Sequence, residues 1–228
     1  MKLAALFSGG KDSTYAIYLA KKQGHEVVCL ISLESERDDS YMFHIPNIRL
    51  TEKQAEAMEL PIIYQKSSGI KEEELEDIKD ALILAKEQYQ TEGVVSGAVA
   101  SNYQKERIDK ICKDLKLKSM APLWNIDAET YMKELIKNNF RSIIVGIAAE
   151  GFNKSWLGRD IDDTCLNDLR MLNKKYGVSI CGEGGEYESF MYDCSLFKER
   201  IMIIEAAKVM ENKNTGKLVI KKTELVNK

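Results

Sequence analysis

MKLAALFSGGKDSTYAIYLAKKQGHEVVCLISL, Met1 to Leu33, contains a complete strand, loop, helix and strand. Lys2 to Phe7 is a short apolar run of the kind that crosses a buried sheet. Ser13 to Gln23 places Tyr15, Ile17, Tyr18 and Leu19 where a helix packs them on that sheet. Gly24 ends the helix. Glu26 to Leu33, rich in β-branched and aliphatic residues, returns as a second strand covered on both faces. Strand, crossover helix and strand in this order predict a parallel sheet.

The loop inside this unit is SGGKDS, Ser8 to Ser13. It lies where exposed amides meet a helix amino terminus, a natural phosphate site. Gly9 and Gly10 have no Cβ and let the backbone approach an anion, while the helix dipole at Asp12 and Ser13 supplies positive potential. The Ser8 and Ser13 hydroxyls add donors and Lys11 a charge. The spacing matches neither GxxxxGK[ST] nor GxGxxG, so the nucleotide chemistry of those loops is not indicated. A plain glycine turn is the alternative reading.

Working outward, Glu34 to Leu50 is polar and irregular. Thr51 to Gln54 matches the T-x-x-Q capping box and predicts a short helix through Met58. Pro61 to Gln65 reads as a third strand. Leu75, Ile78, Leu82, Ala85 and Tyr89 form one face of a helix between Lys71 and Tyr89, with an acidic start at Glu72, Glu73 and Glu74 that suits the dipole. Gly93 to Ala98 (strand) and Asn102 to Leu115 (helix) complete another step of an open doubly wound sheet. Past Pro122 the pattern shifts: helix at Asp127 to Asn138, strand at Arg141 to Ile147, helix at Asp163 to Tyr176, then two strands around Asn212 to Gly216. Two domains are expected, 1–120 for the nucleotide and a smaller α/β domain, 121–228, for the substrate.

The 228 residues carry a net charge of -3, with 33 basic and 36 acidic residues interspersed. No block of positive charge argues for a nonspecific grip on nucleic acid. No stretch approaches the roughly 18 apolar residues of a membrane span, and Met1 to Phe7 is too short for a signal peptide, so a cytoplasmic protein is expected. Cys29, Cys112, Cys165, Cys181 and Cys194 are widely spaced without a CxxC pair and read as free thiols in core or strand positions.

SGGKDS after an opening strand resembles the PP-loop of ATP pyrophosphatases, a HUP-like fold whose enzymes cleave between the α and β phosphates. SGAVASNYQKERI (Ser96 to Ile108), SWLGRDID (Ser155 to Asp162) and GEGGEYESF (Gly182 to Phe190) follow it in an order similar to that of the diphthine-ammonia ligases. Glu34 to Asn47 and Ala121 to Trp124 fit the same family, and the chain resembles its short archaeal form. The resemblance implies that ATP, expected with Mg2+, adenylates the carboxylate of diphthine on elongation factor 2. Ammonium nitrogen then displaces AMP to give diphthamide.

On that resemblance Ser8, Gly9, Gly10, Lys11, Asp12 and Ser13 hold the phosphates, with Lys11 and Asp12 also catalytic. His44 either lies by the nucleotide or packs, and Gly97 allows close approach to ATP. Ser101, Tyr103, Gln104 and Arg107 open the next helix toward the substrate. Trp156 lines the diphthine pocket or is a core ring, with Gly158 and Arg159 beside it. Glu183, Glu186 and Glu188 surround Gly184 and Gly185. They either help hold magnesium or attract ammonium and the cationic group of diphthine; Glu183 and Glu186 count as catalytic. The alternative for this segment is a glycine hairpin with solvated acids.

Asp160, Asp162 and Asp163 read as a helix start rather than a metal site, His25 as a solvated turn residue, and Trp124 as a core or interface ring. No glutaminase-like segment is present, which points to free ammonium as donor. The oligomeric state stays open, a homo-oligomer included. Two rivals remain: a tRNA-modifying PP-loop enzyme, against which the missing cysteine set and basic surface weigh, and a module that senses ATP or AMP without turnover.

Overall fold

The computed structural model describes residues 1–35, 47–67 and 73–228, and the chain divides into two compact units, Met1–Trp124 and Asn125–Lys228. Unit 1 holds five strands, β1 (Lys2–Leu6), β2 (Glu26–Ser35), β3 (Ile62–Ser67), β4 (Gly93–Val95) and β5 (Lys118–Met120). Its helices are α1 (Lys11–Lys22), α2 (Thr51–Met58), α3 (Glu73–Tyr89) and α4 (Asn102–Asp114). The sheet runs β3-β2-β1-β4-β5 with every neighbouring pair parallel, the open doubly wound arrangement expected.

The inner strands β1, β2 and β4 are largely apolar on both sides because both faces are covered. Ala4, Cys29, Ile31, Leu33, Ile63 and Val94 join Ile78, Leu82 and Ala85 of α3 and Ile108 and Ile111 of α4 in one buried cluster. The alternate residues Leu3, Ala5 and Leu30 are also buried, as are Tyr15, Ala16, Ile17 and Ala20 of α1, which packs on β1, β2 and β4. The chain moves outward from β1 to β2 and β3, then crosses to β4 on the other side of β1. The strand order therefore reverses between β1 and β4, and the carboxyl ends of those two strands flank the crevice where such sheets receive ligands.

Several elements differ from the sequence reading. Helix α1 begins at Lys11, two residues earlier than expected, because Gly10 already stands in the extended conformation of an N-cap. Strand β5 has only three residues, two of them exposed, and gave no alternating signal. The T-x-x-Q segment is not a capping box: Leu50 is the N-cap of α2 and no side-chain cap bond is made.

Unit 2 contains α5 (Ala128–Lys137), β6 (Arg141–Ala148), α6 (Asp163–Tyr176), β7 (Tyr187–Asp193), β8 (Glu199–Met210) and β9 (Thr215–Asn227). Its sheet, β7-β6-β9-β8, is antiparallel throughout, and β8 and β9 form a long hairpin. Asp127 caps α5 by accepting from Thr130 N at 2.8 Å. Gly177, at φ 72°, ends α6 in the left-handed conformation that glycine adopts without a Cβ penalty. Tyr131, Met132, Leu135, Phe140, Ile144 and Leu169 are fully buried. Among the described residues no helix is long and apolar enough to cross a membrane.

Candidate active site

Strand β1 leaves the sheet at a fixed point. Phe7 N donates to Ile31 O at 2.8 Å, the Ser32 hydroxyl donates to Phe7 O at 2.6 Å, and the chain turns away at Ser8. Gly9 adopts φ +76°, and a Cβ there would lie 2.2 Å from Gln54 Oε1. Only glycine meets both demands at once. Gly10 occupies the N-cap of α1, and its carbonyl accepts from Thr14 N at 3.2 Å and the Thr14 hydroxyl at 2.8 Å.

The Ser8 and Ser13 hydroxyls stand 3.1 Å apart across the turn, Ser8 N donates to Ser13 Oγ at 3.3 Å, and Gly10 N reaches Ser8 Oγ at 3.4 Å. Lys11, the first helical residue, is only 2 % exposed, and its ammonium donates to both Asp12 oxygens at 2.9 and 2.8 Å. The Asp12 side chain is one-third exposed. Two serine hydroxyls, a buried cation and the positive end of a helix dipole thus converge on one turn, which is the chemistry of an anion site.

Gly97 comes to the same place from β4. A Cβ on it would meet Ser13 N at 2.6 Å and the Asp12 carbonyl carbon at 2.7 Å, so backbone packs on backbone at the mouth of the crevice. Four residues on, Ser101 caps α4 by accepting from Gln104 N at 3.4 Å. The Arg107 guanidinium carbon lies 3.4 Å from the centre of the Tyr103 ring, a stacked pair on successive turns of α4. Lys105 stands 5.5 Å over Trp124 and pairs with Asp109. His44 lies outside the described residues.

In unit 2, the GEGGEYESF segment forms a tight turn running into β7, a strand that the sequence reading did not assign. Gly182 and Gly185 both have positive φ, 73° and 79°. Glu186 organises the turn: its Oε1 accepts from Ser179 N and its Oε2 from Gly184 N, both at 2.8 Å, while its carbonyl accepts from Ala148 N at 2.8 Å. Glu183 N donates to Ser179 Oγ at 3.3 Å. Glu188 sits on β7 opposite Gly146. The buried Tyr187 anchors the turn through its hydroxyl, which donates to Ile180 O at 2.9 Å.

Trp156 is 6 % exposed, a core ring edge-on to Phe152 at 4.9 Å, with the Arg159 guanidinium 4.7 Å over it. Phe152 also stands 6.1 Å from Tyr187, so it joins the SWLGRDID and GEGGEYESF segments. Arg159 pairs with Asp168 at 2.6 Å. Gly158, at φ +75°, donates to Ile144 O at 2.8 Å and keeps this segment on the edge of β6. Asp162 caps α6, and bonds from the Thr164 hydroxyl and Cys165 N hold its carboxyl below the usual aspartate range. Among the described residues no group of three or more His, Cys, Asp or Glu could hold a metal ion.

Gln54, Phe152 and Ser179 are among the residues of these sites that the sequence reading did not place in them. Gln54 was hidden by the capping pattern it also satisfies, and Phe152 by its resemblance to any core aromatic.

The family model for the diphthamide synthase N-terminal domain matches residues 1–119, and that for the diphthamide synthase C-terminal domain matches residues 127–226. The diphthine-ammonia ligase of Mus musculus is 38% identical over 234 residues, covering 93% of this chain and 86% of that one. The human protein of the same name is 38% identical over 89% of this chain and 83% of its own length. That of Saccharomyces cerevisiae is 31% identical, and the match spans 34% of its length. A solved structure, a predicted subunit of tRNA methyltransferase from Methanocaldococcus jannaschii, aligns with a TM-score of 0.43 at 17% identity over 86% of this chain and 98% of that one; so slight a likeness carries no argument. The two domain matches in tandem, with the mouse and human relatives matched over most of their own length, place the chain in the diphthamide synthase family.

Proposed function

We propose that this chain is an ATP-dependent diphthine-ammonia ligase, which converts the carboxylate of diphthine on elongation factor 2 into the amide of diphthamide with ammonium as nitrogen donor. The tandem match to both diphthamide synthase domains carries the reading. In the first step a diphthine carboxylate oxygen attacks the α phosphorus of ATP, a P–O bond forms, the bond to the β-phosphate oxygen breaks, and pyrophosphate leaves. In the second, ammonia, after ammonium gives up a proton, attacks the acyl carbon, the nitrogen loses a further proton, and AMP departs with the carboxylate oxygen that had attacked phosphorus. Adenylation is needed because a carboxylate oxygen is a poor leaving group and AMP a good one. The protein's part is positioning and charge stabilisation.

The residues present fit a triphosphate. The turn Ser8–Ser13 offers hydroxyls, the amides of a helix amino terminus and the buried Lys11 ammonium, and Gly97 leaves no room for even a methyl group beside the Ser13 amide. Unit 1 is the nucleotide-binding unit in this reading, with Lys11 stabilising charge on the phosphates as it shifts toward pyrophosphate. Ser101, Tyr103, Gln104 and Arg107 serve the substrate side, as do Gly158 and Arg159, with the buried Trp156 ring supporting Arg159 from below. Unit 2 is the substrate-binding unit. Glu186 holds the shape of the turn, while Glu183 and Glu188 supply negative charge for ammonium and for the cationic group of diphthine. Magnesium, when bound, would neutralise charge on the triphosphate, and Asp12 is the acidic group of the loop that would hold it.

The experiment is an incubation with ATP, magnesium, ammonium and diphthine-bearing elongation factor 2. AMP, pyrophosphate and the mass change of acid-to-amide conversion are expected together. ADP as product, or AMP without amide, contradicts the reading, and glutamine replacing ammonium contradicts the choice of donor.

A further inference from the structure

The residues Thr51 and Gln54 match a capping box in sequence, yet neither caps α2. The Thr51 hydroxyl donates to Ile48 O at 2.6 Å and lies 2.8 Å from the Tyr64 hydroxyl. Gln54 is fully buried, and its Nε2 donates to Gly9 O at 2.8 Å, 45 residues away in the chain. A buried amide is costly unless paired, so a position that only filled space would be better served by leucine or methionine. Here the amide reaches the phosphate loop.

We propose that Gln54 is a positioning residue for the nucleotide: by holding the Gly9 carbonyl it fixes the Gly9–Gly10 peptide plane and aims the Gly10 amide at phosphate. A trans peptide points its C=O and N–H in opposite directions, and no peptide bond described is cis. With Gly9 O drawn toward α2, the Gly10 N–H is turned to the Ser8 hydroxyl, 3.4 Å away, on the side of the loop where the Ser8 and Ser13 hydroxyls meet. A Gly-Gly peptide is the one least restrained by its own side chains, and a rotated plane would present a carbonyl oxygen to the phosphate instead of an amide. Helix α2 closes the other side: a Cβ on Gly9 would meet Thr51 Cγ2 at 3.0 Å as well as Gln54. The clamp and the glycine are therefore matched to each other. This proposal rests on the loop being the nucleotide site.

The test is isothermal titration of the full chain and of Gln54→Leu with ATP, pyrophosphate and adenosine, beside thermal melts. Affinity for ATP and pyrophosphate is expected to weaken about tenfold, the loss when one buried carbonyl is left without its donor, with adenosine affinity unchanged. Unchanged binding of all three, or equal weakening of all three, overturns the proposal. Should Gln54→Leu not fold, Gln54→Glu keeps the length of the side chain and can donate to the carbonyl only when protonated. Its ATP affinity relative to wild type must then fall as pH rises, and a constant ratio overturns the proposal. Wild-type protein that binds neither ATP nor pyrophosphate sinks the nucleotide reading itself, a result separable from both.

Discussion

Alanine at Gly97 puts a methyl group 2.6 Å from the Ser13 nitrogen, 2.7 Å from the Asp12 carbonyl carbon and 2.9 Å from Ser13 Cα. All three are backbone atoms of the first turn of α1, so no side chain can swing away to make room. Ordinary contact begins near 3.4 Å, which requires the end of β4 and the start of α1 to part by about 0.8 Å. Overpacking of this kind costs about 2 kcal/mol, or about 5 °C in Tm. The functional cost is larger, because the displaced amides are those proposed to face the phosphates, and a misplacement of about 1 Å lowers rates about 100-fold. The assay is AMP formation with ATP varied, run beside a thermal melt. Gly24→Ala is the control: Gly24 has positive φ, 81°, but nothing lies within 4 Å of its added Cβ, so the variant carries about 1 kcal/mol of backbone strain and keeps full activity. A Gly97→Ala protein with wild-type kcat/KM for ATP would refute the placement of the phosphates between β4 and α1.

Lys11→Met removes a buried cation beside a partly exposed carboxylate and is expected to lower kcat about 100-fold in the same AMP assay, with Asp12 remaining solvated. Glu186→Gln takes away a carboxylate that accepts from Ser179 N and Gly184 N; Tm should fall by several degrees, read by calorimetry, as a charge-assisted pair is worth about 2 kcal/mol. The Asp162 carboxyl is held below its ordinary value of 3.8, first by the Thr164 hydroxyl and then by Cys165 N. Its contribution to stability is full above that value and is lost as pH falls through the lower folded-state value. Urea midpoints of wild type and Asp162→Ala should thus converge in acid and differ at neutral pH. All five cysteines are buried, and burial pushes Cys29 up to about 12 and Cys112 to about 11, so a thiol reagent should label native protein slowly and all five groups in denaturant.

How much of this was legible in the sequence follows from where the signals lie. The SGGKDS loop could be read because strand, glycines and helix start are local, and the parallel sheet followed from the apolar runs on either side. Strand β5 could not, since Lys118–Met120 is three residues long and forms only by pairing with β4, a tertiary decision. Strand β7 was masked by the glycines and glutamates before it. Glu186 reads as an acid and acts as a turn's internal acceptor, a role visible only when Ser179 and Gly184 are seen beside it. Gln54 shows the limit most directly: T-x-x-Q predicts a local reciprocal bond, but the side chain is spent on Gly9, because burying it against the loop pairs a carbonyl that nothing local could reach.

The most direct test of the central claim is to label the diphthine carboxylate of elongation factor 2 with heavy oxygen and run the reaction with ATP and ammonium. Attack by that carboxylate on the α phosphorus predicts one heavy oxygen in the phosphate of the released AMP and none in pyrophosphate. Amide formed with unlabelled AMP, or with the label in inorganic phosphate beside ADP, would contradict it.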